Sequence, residues 1–148
     1  MTMKTHGLIM ALALAIGVTA CGKENVTHDA TVLPKKARTT LSQNFTSAVS
    51  LVKTEKDLGK VTEYEVTLTD GSEISFKSNG DWESVDTPVN KPVPAGLVPT
   101  AITNYVHQKH AGALIVGIEK EKHGYDVELS NGVEIQFDKS GNFLKYDN

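Results

Sequence analysis

The sequence predicts an α+β fold: one helix followed by a four-stranded antiparallel meander, occurring twice in tandem. Three observations carry this. The segment Tyr64-Glu65-Val66-Thr67-Leu68-Thr69-Asp70-Gly71-Ser72-Glu73-Ile74-Ser75-Phe76 is answered, without gaps, by Tyr125-Asp126-Val127-Glu128-Leu129-Ser130-Asn131-Gly132-Val133-Glu134-Ile135-Gln136-Phe137. The match continues through Gly80 and Gly141, Trp82 and Phe143, Val85 and Tyr146, and Asp86 and Asp147. Each copy is preceded by a proline-led stretch with apolar residues at helical spacing, and within each copy apolar residues alternate in short runs broken by glycine.

The first 20 residues stand apart. Lys4 is the one formal charge before Cys21, and an apolar run from Gly7 to Ala20 follows it. A positive start, a run too short to span a bilayer comfortably and small residues at its end make a secretory signal peptide. Val18-Thr19-Ala20-Cys21 resembles the bacterial lipobox, in which the cysteine takes a diacylglycerol and becomes the mature N-terminus. The chain has a single cysteine, and this position is one where an exported cysteine needs no partner. Gly22 follows it rather than Asp, so nothing resembles the enterobacterial inner-membrane retention signal. Lys23-Glu24 resembles only weakly the charged surface-export signal of Bacteroidetes lipoproteins. The expected location is the cell envelope, lipid-anchored at the outer membrane, on its periplasmic or surface face. Residues 21–31 are polar and without period, which predicts a flexible tether.

The first copy occupies 32–86. Pro34 opens a helix with Ala37, Leu41 and Phe45 on its stripe. In the second copy, 97–148, Pro99 opens a helix with Ile102, Tyr105 and Val106 at i, i+3 and i+4. Leu114, Val116 and Ile118 then alternate as a strand, as do Tyr125, Val127 and Leu129, and next Ile135 and Phe137. Asp70-Gly71 and Asn131-Gly132 are two-residue hairpin signals, which require positive φ at both central residues. Ser78-Asn79-Gly80-Asp81 and Lys139-Ser140-Gly141-Asn142 read as longer loops. Leu33-Pro34 aligns with Val98-Pro99 at a wider spacing, so the first copy carries extra residues, placed between Lys53 and Thr62. Residues 87–96, with Pro88, Pro92 and Pro94, form a stiff linker. A copy this small buries little apolar surface alone. The two sheets are therefore expected to meet edge to edge as one eight-stranded sheet, with helices on one face and water on the other.

The Tyr-x-Val-x-Leu-x-(Asp/Asn)-Gly-x-Glu-Ile-x-Phe pattern, then Gly-x-(Trp/Phe), after a proline-led helix, resembles the PepSY-like lipoproteins of Bacteroidetes, often described as beta-lactamase-inhibitor-protein-like. The resemblance implies the same tandem fold. It also implies the work of PepSY domains in general, which modulate extracytoplasmic peptidases or bind peptides and proteins. It does not carry over beta-lactamase inhibition, which belongs to relatives with disulfides that one cysteine cannot make.

Composition narrows the function. The chain has 148 residues and 16.0 kDa, with 39% hydrophobic, 22% charged and 6% aromatic residues, values of a globular protein rather than a disordered one. The net charge is −3 with Lys+Arg 15, which leaves no basic excess for a nucleic-acid backbone. Protease, nucleophile-elbow and phosphate-loop signatures are absent. No cofactor is expected, and the chain reads as a non-enzyme. His107 and His110 stand at i and i+3 on a helix, a spacing able to share a metal. No carboxylate supports them, and they read as a solvated helix end.

With Tyr125, Val127, Leu129, Ile135 and Phe137 turned to the helix, Asp126, Glu128, Glu134, Gln136 and Asp138 face outward. In the first copy Glu65 and Glu73 do the same, beside Thr67, Ser75 and Lys77. These carboxylates lack the apolar enclosure that general acid work needs and a loop that would converge them on calcium. They are either a solvated face or a recognition surface for a basic partner. Trp82 and Phe143 read as core packing at a sheet end, with an exposed anchor for a partner as the alternative. Two functions follow. One is a non-catalytic, membrane-anchored module binding an envelope protein or peptide, as inhibitor or modulator of an extracytoplasmic hydrolase. The other is an envelope sensor of a small ligand or metal.

Overall fold

A computed structural model describes residues 24–147; the leader and Cys21 lie outside the described residues. Strand β1 (Asn25–Thr27) leads through a short 3-10 turn (Ala30–Val32) to helix α1 (Lys35–Asn44). Strands β2 (Val49–Asp57), β3 (Lys60–Leu68), β4 (Glu73–Lys77) and β5 (Trp82–Asp86) follow. A second 3-10 turn (Ala95–Leu97) precedes helix α2 (Thr100–Lys109) and strands β6 (Ile115–Lys120), β7 (Gly124–Leu129), β8 (Glu134–Asp138) and β9 (Phe143–Asp147). All strands lie in one open antiparallel sheet in the order β1-β2-β3-β4-β5-β6-β7-β8-β9. The sheet therefore has nine strands rather than the expected eight. The added strand comes from the stretch read as tether: Asn25, Val26 and Thr27 pair with Thr54, Lys53 and Val52. Three residues have too little pattern to announce a strand, and they form one because the edge of β2 offers unpaired backbone groups.

The two halves join through β5 and β6, with Val85 opposite Ile118 and Asp86 opposite Gly117. One core runs across the junction. Ala37 and Leu41 of α1 and Ile102 and Val106 of α2 pack on the inward residues of the sheet, among them Val66, Ile74, Phe76, Val127, Ile135 and Phe137. Burial of each such aliphatic or aromatic side chain is worth about 1.5–3 kcal/mol. Both prolines sit one residue ahead of their helices and serve through their carbonyls: Pro34 O accepts from Arg38 N at 3.1 Å and Pro99 O from Thr103 N at 3.2 Å. Phe45 lies just past the end of α1, partly buried against the core.

The linker is more than a spacer. Val93 is buried, and its N–H donates to Ile115 O at 2.7 Å, while Thr87 N–H donates to Val116 O at 2.8 Å. Lys91 forms an ion pair with Asp70 at the β3–β4 hairpin. Asp70 also accepts the Ser72 N–H at 2.8 Å. Burial pushes its carboxyl upward, but these donors outweigh that and hold it well below the usual range.

The hairpins differ from the expected two-residue type. Gly71 and Gly132 have φ of 88° and 83°, but Asp70 and Asn131 do not have positive φ. In each case a three-residue loop closes: Leu68 N–H donates to Ser72 O at 2.8 Å, and Leu129 N–H to Val133 O at 2.9 Å. Asp70 and Asn131 use their side-chain oxygens to accept the N–H two residues on, so they work as local acceptors rather than as left-handed residues. The β4–β5 and β8–β9 loops share this geometry, with Gly80 and Gly141 at the positive-φ position. The alternation expected at Leu114, Val116 and Ile118 is broken by a register shift between Ile115 and Gly117, and Ile115 and Ile118 are the residues that join the core.

The extra residues of the first half lengthen one hairpin. β2 and β3 have 9 residues each, β6 and β7 have 6. The result is an arm whose tip is Leu58-Gly59, with φ of 47° and 78°.

Candidate functional site

The helix-free face of the sheet carries two rows of side chains that run across the strands. The strand pairing places Thr67, Glu73, Asp86, Gly117, Glu128, Glu134 and Asp147 side by side in one row. Five carboxylates from both halves thus stand in line, interrupted only by a glycine. A Cβ at Gly117 would lie 3.1 Å from Asp86 Oδ1 and 3.2 Å from Glu128 Cβ, so the two flanking acids close over bare backbone. Among the described residues no Lys or Arg lies within ion-pair distance of Glu73, Asp86, Glu128 or Glu134. Three of these carboxyls are raised, by burial first and by neighbouring acids second. Burial and then Glu73 push the Asp86 carboxyl up to about 6. Burial, then Glu134 and Asp86, raise Glu128; burial, then Glu65, raises Glu73.

The neighbouring row is Lys53, Glu65, Ser75, Ser84, Glu119, Asp126, Gln136 and Lys145, and its charges are largely satisfied. Lys53 Nζ lies 3.2 Å from Glu65, 3.2 Å from Glu55 and 3.0 Å from Glu24. Ser75 and Ser84 share a hydrogen bond of 2.8 Å, and Asp126 lies 2.8 Å from His123 Nε2.

Of the expected surface residues, Glu73, Glu128 and Glu134 come together in the first row. In the second row Glu65 pairs with Lys53 and Asp126 lies against His123, and Gln136 donates from Nε2 to Asp147 Oδ2 at 3.2 Å. Asp138 is turned into its own loop, where Oδ1 accepts the N–H groups of Ser140 and Asn142, each at 2.9 Å. These donors, first the Asn142 N–H, hold its carboxyl below the usual range. Asp86 and Asp147 complete the row and were not among the expected surface residues. Their signal was their equivalence at the ends of the two repeats, but strand alternation alone does not bring them into line with Glu73 and Glu134.

The aromatic end of the second half is a separate patch. Phe143 stacks on Tyr105, with ring centroids 5.1 Å apart and planes 7° apart, and remains 39% exposed. The Tyr146 hydroxyl lies 3.1 Å from the Tyr105 hydroxyl and 3.1 Å from His110 Nε2. His110 is thus engaged away from His107, which is exposed. Trp82 is half-buried beneath Lys120, whose Nζ is 3.7 Å from the ring centre. Among the described residues no group of three or more His, Cys, Asp or Glu converges so as to hold a metal ion, and no helix is long and apolar enough to cross a membrane.

Comparison with known proteins agrees with this architecture. No curated protein matches the chain. A crystal structure described as a "putative periplasmic protein of unknown function" from Bacteroides vulgatus is 40% identical, with a TM-score of 0.78 over 84% of this chain and 99% of its own. A "putative calcium-regulated periplasmic protein" from Bacteroides thetaiotaomicron is 35% identical, with a TM-score of 0.76 over 84% and 97%. A second "putative periplasmic protein" from Bacteroides vulgatus is 34% identical, with a TM-score of 0.75 over 85% and 98%. The profile of the family described as "Putative beta-lactamase-inhibitor-like, PepSY-like" matches residues 62–145. These residues run from within β3 into β9 and hold every carboxylate of the acidic row except Asp147, and the chain belongs to that PepSY-like family.

Proposed function

We propose that this chain is a non-catalytic binding module of the cell envelope, anchored by lipid on Cys21, whose open sheet face engages a basic segment of an envelope protein or peptide. The observation that carries this reading is the row Glu73, Asp86, Glu128, Glu134 and Asp147. Like charges placed side by side on adjacent strands destabilise a sheet, and a cationic partner converts that repulsion into attraction. The glycine at position 117 lets Asp86 and Glu128 draw in over β6, which concentrates their charge on the open face. The family's description compares it with inhibitors, and modulation of an extracytoplasmic hydrolase is one form that such binding takes. The description of the relatives as periplasmic supports the envelope location, and the lipobox-like Val18-Thr19-Ala20-Cys21 supports the anchor. Mass spectrometry of the membrane-extracted protein should show acylated Cys21, and Cys21→Ala should be released from membranes.

The binding test is a titration of the domain with Lys- and Arg-rich oligopeptides at low ionic strength, followed by backbone amide resonances. Shifts should concentrate at Glu73, Asp86, Gly117, Glu128 and Glu134 and fade with salt. Shifts elsewhere, or none, defeat the reading. A second reading, a divalent-cation sensor, draws on the relative described as calcium-regulated. Titration with Ca²⁺ alone separates the two: saturable shifts at the same residues at micromolar metal favour the sensor.

A further inference from the structure

We infer that the tip of the β2–β3 arm is a second membrane contact, and that Leu58 inserts into the bilayer to which Cys21 is tethered. Leu58 is 96% exposed and is the one non-glycine residue of positive φ among the described residues, at 47°. A leucine is disfavoured in this conformation, where Asn, Asp or Gly serves a tight hairpin better, and its side chain touches nothing that folding would reward. Both features are accounted for if the apolar group has its contact outside the protein.

The choice of a bilayer as that contact comes from chain geometry. β1 is antiparallel to β2, with Asn25 opposite Thr54, so the chain preceding Asn25 is directed along the arm toward its tip. Glu24 already follows that course, its carboxylate 3.0 Å from Lys53 Nζ. Cys21 lies four residues before Asn25 and Leu58 four residues after Thr54. Four residues of extended chain span at most about 14 Å, and the same number of strand residues about 13 Å. The two lengths match, so an anchor on Cys21 is within reach of the surface that Leu58 would enter. At the tip Lys60 stands opposite Asp57, with Lys56 one residue back on β2, so two of the three charges beside Leu58-Gly59 are cations, placed where anionic headgroups lie. One leucine binds a membrane too weakly alone. Once the anchor holds the arm at the surface, its local concentration is high enough to set orientation. The arm then points into the lipid and the acidic row stands clear of it.

This inference rests on lipidation of Cys21, and the experiment keeps the two apart. The full-length acylated protein, carrying Trp82→Phe and Leu58→Trp, is reconstituted in vesicles of phosphatidylethanolamine and phosphatidylglycerol. A second variant carries Trp82→Phe and Val89→Trp, on an exposed part of the linker. The Leu58→Trp indole should shift to shorter wavelength and lose at least about half its emission to brominated acyl chains, as an inserted group does. The Val89→Trp indole should respond to aqueous iodide only. If the protein floats with vesicles but the Leu58→Trp indole is quenched by iodide and not by bromolipid, the inference falls, the anchor stands, and the tip belongs to a protein partner. If the protein carries no acyl group and does not float, both fall.

Discussion

Replacing Asp86 by asparagine should make the protein more stable at neutral pH and worse at binding. Asp86 stands between Glu73 on β4 and Gly117 on β6, with Glu128 beyond, and its carboxyl is raised from 3.8 to about 6. A raised carboxyl keeps its proton longer in the native state than in the unfolded one. Stability therefore falls as the pH rises from about 4 to about 6 and stays lowered above that. At full weight a shift of this size corresponds to about 3 kcal/mol. Part of the Asp86 surface nevertheless stays exposed to water, and screening reduces the expected penalty to about 1 kcal/mol. Asn has the same shape and no charge. Asp86→Asn should raise the melting temperature at pH 7.5 by roughly 3 °C for a domain of this size, should change nothing at pH 3.5, and should flatten the pH slope between. Thermal unfolding followed by circular dichroism across that range, at 20 mM and 500 mM salt, reads both quantities. A lowered melting temperature at pH 7.5, or an unchanged pH slope, refutes the reasoning, because the carboxylate would then be satisfied rather than repelled. The same variant should lose several-fold affinity for a Lys-rich peptide, which is the sense in which a functional site holds groups the fold would rather lack.

Three further outcomes follow from the same geometry. Asp70→Asn keeps the acceptor for Ser72 N–H but removes the ion pair to Lys91; it should cost about 1 kcal/mol at pH 7, a difference present above about pH 4 and lost below it because the folded carboxyl is depressed, measured by urea unfolding. Gly132→Ala has open space and should cost only the backbone term, about 1 kcal/mol, whereas Gly141→Ala would bring its Cβ to 2.9 Å from Ala101 Cβ and should cost about twice that; equal effects in denaturant would contradict the helix–loop contact. The described residues should unfold in one transition with coincident calorimetric and spectroscopic curves, because Val85 and Ile118 pair across the two halves and Val93 of the linker lies in the shared core; two separate melts would mean the halves are independent.

Much of this protein was legible from local pattern. The Tyr-x-Val-x-Leu alternation, the proline-led apolar stripes and the glycine-marked loops each act over a few residues. They placed both helices, the strands after them and the core side of β3, β4, β7 and β8, as Ile74, Phe76, Ile135 and Phe137 show. The repeat also implied that two small sheets would merge, since a copy that small has little apolar surface to bury by itself. Other features are decided by contacts between distant residues. β1 exists because β2 has a free edge, not because Asn25-Val26-Thr27 is a strong strand former. The parity of β6 depends on a register shift between Ile115 and Gly117 that no alternation announces. Asp138 does not join the acidic row because its carboxylate finds nearer donors in its own exposed loop. The acidic row itself is a property of register. Glu73, Asp86, Glu128, Glu134 and Asp147 sit on five different strands, and a slip of one residue between β5 and β6 would have broken the row in two. Sequence alone determines which residues alternate; only hydrogen-bonded pairing across the sheet determines which of them become neighbours.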